Sequence, residues 1–202
     1  MSAEAQLRAM VEQPWRCSNC EQLHHGLFDL ACFAPDYWKE EEVYEPNASL
    51  RLDGDFLSED FCVLGGEYFF VRCVALIPVV GMKETFGFGV WSSLSRTNFE
   101  KYIEKFDTGF DVDQGPWFGW LSNRLKNYPD TLALPCDVYP QPKRKRPHLV
   151  VTGYEHPLAL DIRDGMAPEK LLEIYEANGH CPERPAEKPS SHGWRGLFGL
   201  RK

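Results

Sequence analysis

"FCVLGGEYFFVRCVALIPVV", residues 61–80, is the stretch whose reading decides the fold. Two runs rich in Phe, Val, Leu and Ile flank Gly65-Gly66. Paired glycines supply the positive φ angles of a tight turn, so the stretch reads as a β-hairpin. The next run, "FGFGVWSSLS" at 86–95, alternates Phe86, Phe88 and Val90 with small residues and reads as a further strand near the centre of a sheet. Gly87 and Gly89 lie inside that pattern with no helix following, so they mark close backbone packing rather than a nucleotide loop. "WFGWLS" at 117–122 returns to strand, and "LALPCDVY" and "HLVVTGY" form a second predicted hairpin around the basic turn "PKRKRP". "PLALDI", 157–162, reads as one more strand.

Helical signals bracket this block. Residues 3–12 predict a helix capped by Ser2, and Thr97-Asn98-Phe99-Glu100 reads as a capping box opening a helix through Phe106. Pro168 stands at the first turn of a helix running to Ala177, closed by Asn178-Gly179. Strands joined mostly by hairpins and flanked by helices predict an α+β fold, a single domain with a mainly antiparallel sheet. The expected organisation is an N-terminal helix over 1–14, the domain over 15–179, and a disordered tail over 180–202, which is rich in Pro, Ser, Glu and Lys.

Composition excludes several functions. Of 202 residues 43% are hydrophobic, enough for a core, and net charge is −8. That field repels phosphate backbones, so nucleic acid is not an expected partner, whereas a basic protein or a small molecule is compatible. No apolar run reaches the roughly 18 residues of a membrane span. No basic and apolar leader pattern opens the chain. Seven cysteines, an odd and scattered set, fit reduced thiols and predict a cytoplasmic location. There is no phosphate-binding loop, no His-Glu-x-x-His and no Gly-x-Ser-x-Gly elbow. Ser93 or Ser95 with His156 and Asp130 or Asp161 makes a triad only on paper.

Two groups of residues carry possible chemistry. The first is "WRCSNCEQLHHG", 15–26, an N-terminal Cys-x2-Cys knuckle. Cys17 and Cys20 can reach one tetrahedral Zn²⁺ at about 2.3 Å, and His24 is near enough to add a nitrogen. The fourth ligand is open among Cys32, Cys62, His25, His180 and Cys181. Cys62, at the first predicted strand of the sheet, is the leading choice for a structural zinc site. The second group is aromatic and polar: Trp91, Ser93 and Ser95 fall on one face of a strand and, with Trp120, Asp130, His156 and Arg72, can floor a ligand pocket. Arg72 sits in an apolar strand and needs a carboxylate if buried, with Asp130 as candidate.

The motifs CSNC with His24, FFVRC, ALIPV, FGFGVWSSLS, FGWLSN, YPDT, RPHL and HPLALD, in this order, resemble those of the bacterial domain-of-unknown-function family DUF2199 over about 15–177. The resemblance implies a glycine where this chain has Glu21, and another where it has Cys73. It implies no activity. Two readings of function stay open: a non-catalytic binding or interaction protein with a structural metal knuckle, and a metal-dependent, hydrolase-like enzyme using the knuckle.

Overall fold

The computed structural model of the protein describes residues 1–110, 114–142 and 145–182. In chain order the elements are α1 (Ala3–Glu12), β1 (Trp15–Arg16), β2 (Leu23–His24), β3 (Leu30–Ala31), β4 (Phe56–Leu57), β5 (Phe61–Leu64), β6 (Tyr68–Pro78), β7 (Thr85–Leu94), α2 (Arg96–Lys105), β8 (Trp117–Trp120), β9 (Pro135–Tyr139), β10 (His148–Val151), α3 (Pro157–Asp164) and α4 (Pro168–Ala177). The fold is α+β, a single domain built on a mainly antiparallel, mixed sheet, as the hairpin pattern predicts.

Strands β6 and β7 form the long antiparallel pair, in register from Phe69↔Leu94 to Pro78↔Thr85. Gly65 and Gly66 turn the β5–β6 hairpin at φ 58° and 69°. The order across the sheet is β3-β7-β6-β10-β9-β8, with β5 and β4 added beside the first half of β6. Among the named strands β3 on β7 and β10 on β6 run parallel, and the other pairs run antiparallel. The exit of β8 then meets β7 again: Ser92 bridges Leu121, and the Ser122 N–H donates to the Trp91 carbonyl at 2.8 Å. The sheet therefore curls back on itself, and Gly119 is what lets it close. A Cβ there would lie 2.3 Å from Ser92 Oγ and 2.4 Å from the Ser93 carbonyl oxygen. Gly89 plays the same part where β3 crosses β7, 2.9 Å from the Ala31 Cβ by the same measure.

Period-two alternation sorts the β6 and β7 side chains onto two faces. Phe69, Val71, Cys73, Val90 and Leu94 enter the main core, together with Phe99 and Tyr102 of α2 and Leu171, Ile174 and Tyr175 of α4. Phe70 and Trp91 enter a smaller cluster on the other face with Leu57 and Cys62, roofed by Phe33, Trp38 and Tyr44. Helix α1, capped by Ser2, buries Leu7 and Met10 and packs on α4.

Two elements differ from expectation. "PLALDI" is helical, because His156 caps it and Pro157 occupies its first turn, leaving Leu158 and Ala159 buried on one side. Six residues were too few to separate periods of 2 and 3.6. Helix α2 is capped by Ser95 rather than Thr97: Ser95 leaves β7 at φ −62°, ψ 150° and its Oγ accepts the Asn98 N–H at 3.3 Å. Ser95 is thus a cap and not part of the Trp91 strand face. In the expected tail, residues 183–202 lie outside the described residues, but His180, Cys181 and Pro182 pack onto the knuckle, Pro182 bridging Cys17. Among the described residues no helix is long and apolar enough to cross a membrane.

Candidate metal centre

The knuckle is a two-stranded ribbon, β1 against β2, pairing Trp15 with His24 and Arg16 with Leu23. Its turn brings Cys17 and Cys20 together: the Cys17 N–H donates to Gln22 O and the Glu21 N–H to Cys17 O, both at 3.0 Å. Glu21 stands at φ 57°, the left-handed region that favours glycine. The turn is held despite this, with Arg16 Nη1 donating to the Glu21 carbonyl at 2.8 Å. Glu21→Gly should relieve the strained backbone and raise stability by about 1 kcal/mol. A urea midpoint unchanged or lowered would show that the Glu21 side chain offsets its own strain.

Four ligand atoms converge, from Cys17, Cys20, His24 and His180, all within 4.8 Å of one another. Cys20 Sγ lies 3.2 Å from His24 Nε2 and 4.0 Å from His180 Nδ1. Tetrahedral zinc with bonds of 2.0–2.3 Å would set ligand atoms about 3.3–3.8 Å apart, so the group is close to a coordinating arrangement. It can hold a metal ion.

The surroundings suit thiolate and neutral imidazole. Cys17 Sγ accepts the Cys20 N–H at 3.5 Å and the Cys181 N–H at 3.3 Å. Burial raises the Cys17 thiol pKa, but the backbone donors of Cys20, Asn19 and Cys181 outweigh it and the net shift is downward. His180 is lowered by burial and by the neighbouring His24, which favours its unprotonated, ligating form. The rings are fixed by an aromatic ladder. His24 packs against both Trp15 and Phe28 at 4.7 and 4.9 Å, and Phe28 stacks on Tyr175 at 4.7 Å. His180 meets Phe28 edge-on at 4.9 Å. Tyr175 donates to the Phe28 carbonyl at 2.9 Å and accepts its N–H at 3.0 Å, then meets Phe86 of the sheet.

Cys62 is not the fourth member. It sits on β5 opposite Phe70, fully buried on the far face, where burial and Asp55 push its thiol up to about 12. His180 takes that place because the chain folds back after α4: Gly179 turns at φ 82°, and Ser18 donates its N–H to Cys181 O at 2.8 Å. The sequence left His180 among five open candidates, and its placement depends on this return of the chain.

The second group of predicted residues is largely dispersed. Arg72 is buried but, among the described residues, pairs with no acid. Its guanidinium donates to Tyr44 Oη at 3.1 Å, Cys32 O at 3.2 Å and Glu59 O at 3.3 Å. Carbonyl dipoles and the Tyr44 and Trp91 rings, 6.0 and 5.9 Å away, replace the expected carboxylate. Asp130 is exposed beside Arg124 at 3.8 Å. Trp91 is fully buried, its Nε1 donating to Cys32 O. His156 caps α3, its Nδ1 accepting the Leu158 N–H. Ser93 and Trp120 do line one open cavity, with Phe70. Sequence reasoning missed Asn123, which is buried and ties β7 to the 34–36 loop: its Oδ1 accepts the Trp91 N–H, and its Nδ2 donates to Ala34 O and Asp36 Oδ1. It lies within the FGWLSN motif.

No curated protein and no solved structure matches the chain. One family does, over residues 16–166, which includes Cys17, Cys20 and His24 and stops short of His180. The chain belongs to DUF2199, described as uncharacterized protein conserved in bacteria.

Proposed function

We propose that Cys17, Cys20, His24 and His180 bind one zinc ion as a closed structural clip, in a protein that acts by binding rather than by catalysis. The observation that carries the reading is the convergence of four ligand atoms from two segments far apart in sequence. Two sulfurs and two imidazole nitrogens match the donor preference of tetrahedral zinc. Four protein ligands leave no coordination position for a reacting water, which separates structural from catalytic zinc. The N–H donors on Cys17 and the stacked rings on His24 are the outer contacts that orient ligands at such sites. The clip ties the knuckle to the end of α4 and, through Phe28 and Tyr175, to the sheet. A net charge of −8 suits a basic partner.

Cobalt substitution tests this reading. The Co²⁺-loaded protein should show intense tetrahedral d–d bands and a sulfur charge-transfer band, both unchanged by added azide. Bands that shift with azide would reveal an exchangeable position and overturn the closed-site reading.

A further inference from the structure

On the sheet face away from the main core lies an open cavity of about 760 Å³. Its floor is Phe70 of β6, with Ser93 of β7 directly opposite in register. Its walls are Tyr37, Tyr68 and Trp120, all large aromatics that remain 43%, 63% and 46% exposed. Tyr37 stacks over Phe70 at 6.0 Å. Trp120 is held on both sides of its peptide: its N–H donates to Ser93 Oγ at 3.1 Å, and its carbonyl accepts Ser122 Oγ at 2.9 Å. The two serines therefore fix the Trp120 backbone, and its indole meets Phe118 edge-on at 5.0 Å.

The charges around this cavity are one-sided. Glu40, Asp55 and Glu67 line it against, among the described residues, a single cation, Lys39, whose ammonium is tied to the Asp36 carbonyl at 3.1 Å. Asp55 is engaged with the Gly65 N–H at 2.6 Å. Glu40 and Glu67 are exposed and, among the described residues, neither forms an ion pair. They come from two separate segments, the 37–40 loop and the β5–β6 turn. Aromatic faces attract cations through their quadrupole, and carboxylates add charge complementarity. The volume suits a small organic ligand.

We propose that this cavity is a binding site for a small organic amine, one or more ammonium groups on an aliphatic chain. The chain lies on Phe70 and Trp120, and the ammonium groups are met by the Tyr37, Tyr68 and Trp120 faces and by Glu40 and Glu67. None of these residues belongs to the metal group, so the site goes beyond the zinc reading, and zinc content reports on that reading separately.

The test titrates the full zinc-replete chain with 1,4-diaminobutane by calorimetry and by the Trp120 indole N–H signal in NMR. 1,4-Butanediol serves as the uncharged counterpart, glucose as a neutral stacking ligand, and an oligolysine peptide as the macromolecular source of the same group. Saturable binding of the diamine, with neither neutral compound binding, is expected. Glu40→Gln with Glu67→Gln should weaken it about tenfold. Trp120→Ala should weaken it about threefold. Glu173→Gln, on α4, should leave it unchanged. Equal affinity for the diol, preferential binding of glucose, binding of the peptide without the free diamine, or no saturable binding would each overturn the proposal. Because Glu40 and Glu67 are exposed and, among the described residues, make no ion pair, their variants keep the parent's thermal midpoint, and unchanged affinity in them also counts against it.

Discussion

Cys17→Ser combined with Cys20→Ser is expected to lower the thermal midpoint by about 10 °C and to release amide protection at 15–28 and 179–182, with β6 and β7 still protected. The ribbon of β1 and β2 has no core of its own beyond Trp15 and Cys17. Its attachment rests on the aromatic ladder, on the backbone contacts of Cys17 and Ser18 with Cys181 and Pro182, and on whatever joins the four-ligand group. Joining His24 to His180 closes a loop of 156 residues (180 − 24), and by analogy with other cross-links a closure of that length is worth about 4–5 kcal/mol. For a chain of this size each kcal/mol corresponds to about 2–4 °C. The sheet survives because its register from Phe69↔Leu94 to Pro78↔Thr85 does not pass through the knuckle, which gives the main core only Trp15 and Cys17 among its buried members, and none to the smaller cluster. A variant pair that leaves both the midpoint and the exchange pattern at parent values would show that the ladder and the backbone contacts to Cys181 and Pro182 hold the ribbon without a metal.

Arg72→Met should cost about 3 kcal/mol, while Asp130→Asn stays within about 0.5 kcal/mol of the parent. Methionine keeps the aliphatic stem packed, so the loss reports on the guanidinium head. That head joins the Cys32 and Glu59 carbonyls and the Tyr44 hydroxyl, three points on the cover over Trp91. Without it buried acceptors lose their donor, and a charged donor of this kind is worth more than a neutral one. Urea midpoints measure both. A large effect at Asp130, or none at Arg72, would restore the ion pair inferred from sequence or move Arg72 to solvent.

That pair of outcomes marks where sequence reading stops. The hairpins, the two-faced β6–β7 pair and the role of Gly87 and Gly89 were legible, because period-two alternation and paired glycines act over a few residues. Helix α3 was not, since Leu158 and Leu160 alternate over a span too short to fix the period, and the deciding signals were the cap at His156 and Pro157. Three members of the converging Cys/His group were legible from spacing alone. The fourth was one of five open candidates with Cys62 preferred, because the choice depends on α4 packing against α1 and returning His180 to the knuckle. Burial of Arg72 was readable from its apolar neighbours; its partners were not, because backbone carbonyls carry no sequence signature. The left-handed backbone at Glu21 was anticipated by the glycine that the family resemblance implies there.

The most direct test is the metal content of the full chain, purified without chelator or histidine tag. Elemental analysis should find about one equivalent of zinc, falling in His180→Ala as well as in Cys20→Ser, and unaffected in Cys62→Ser. Less than about a tenth of an equivalent, with Cys17 and Cys20 freely titratable in the folded protein, would contradict the clip.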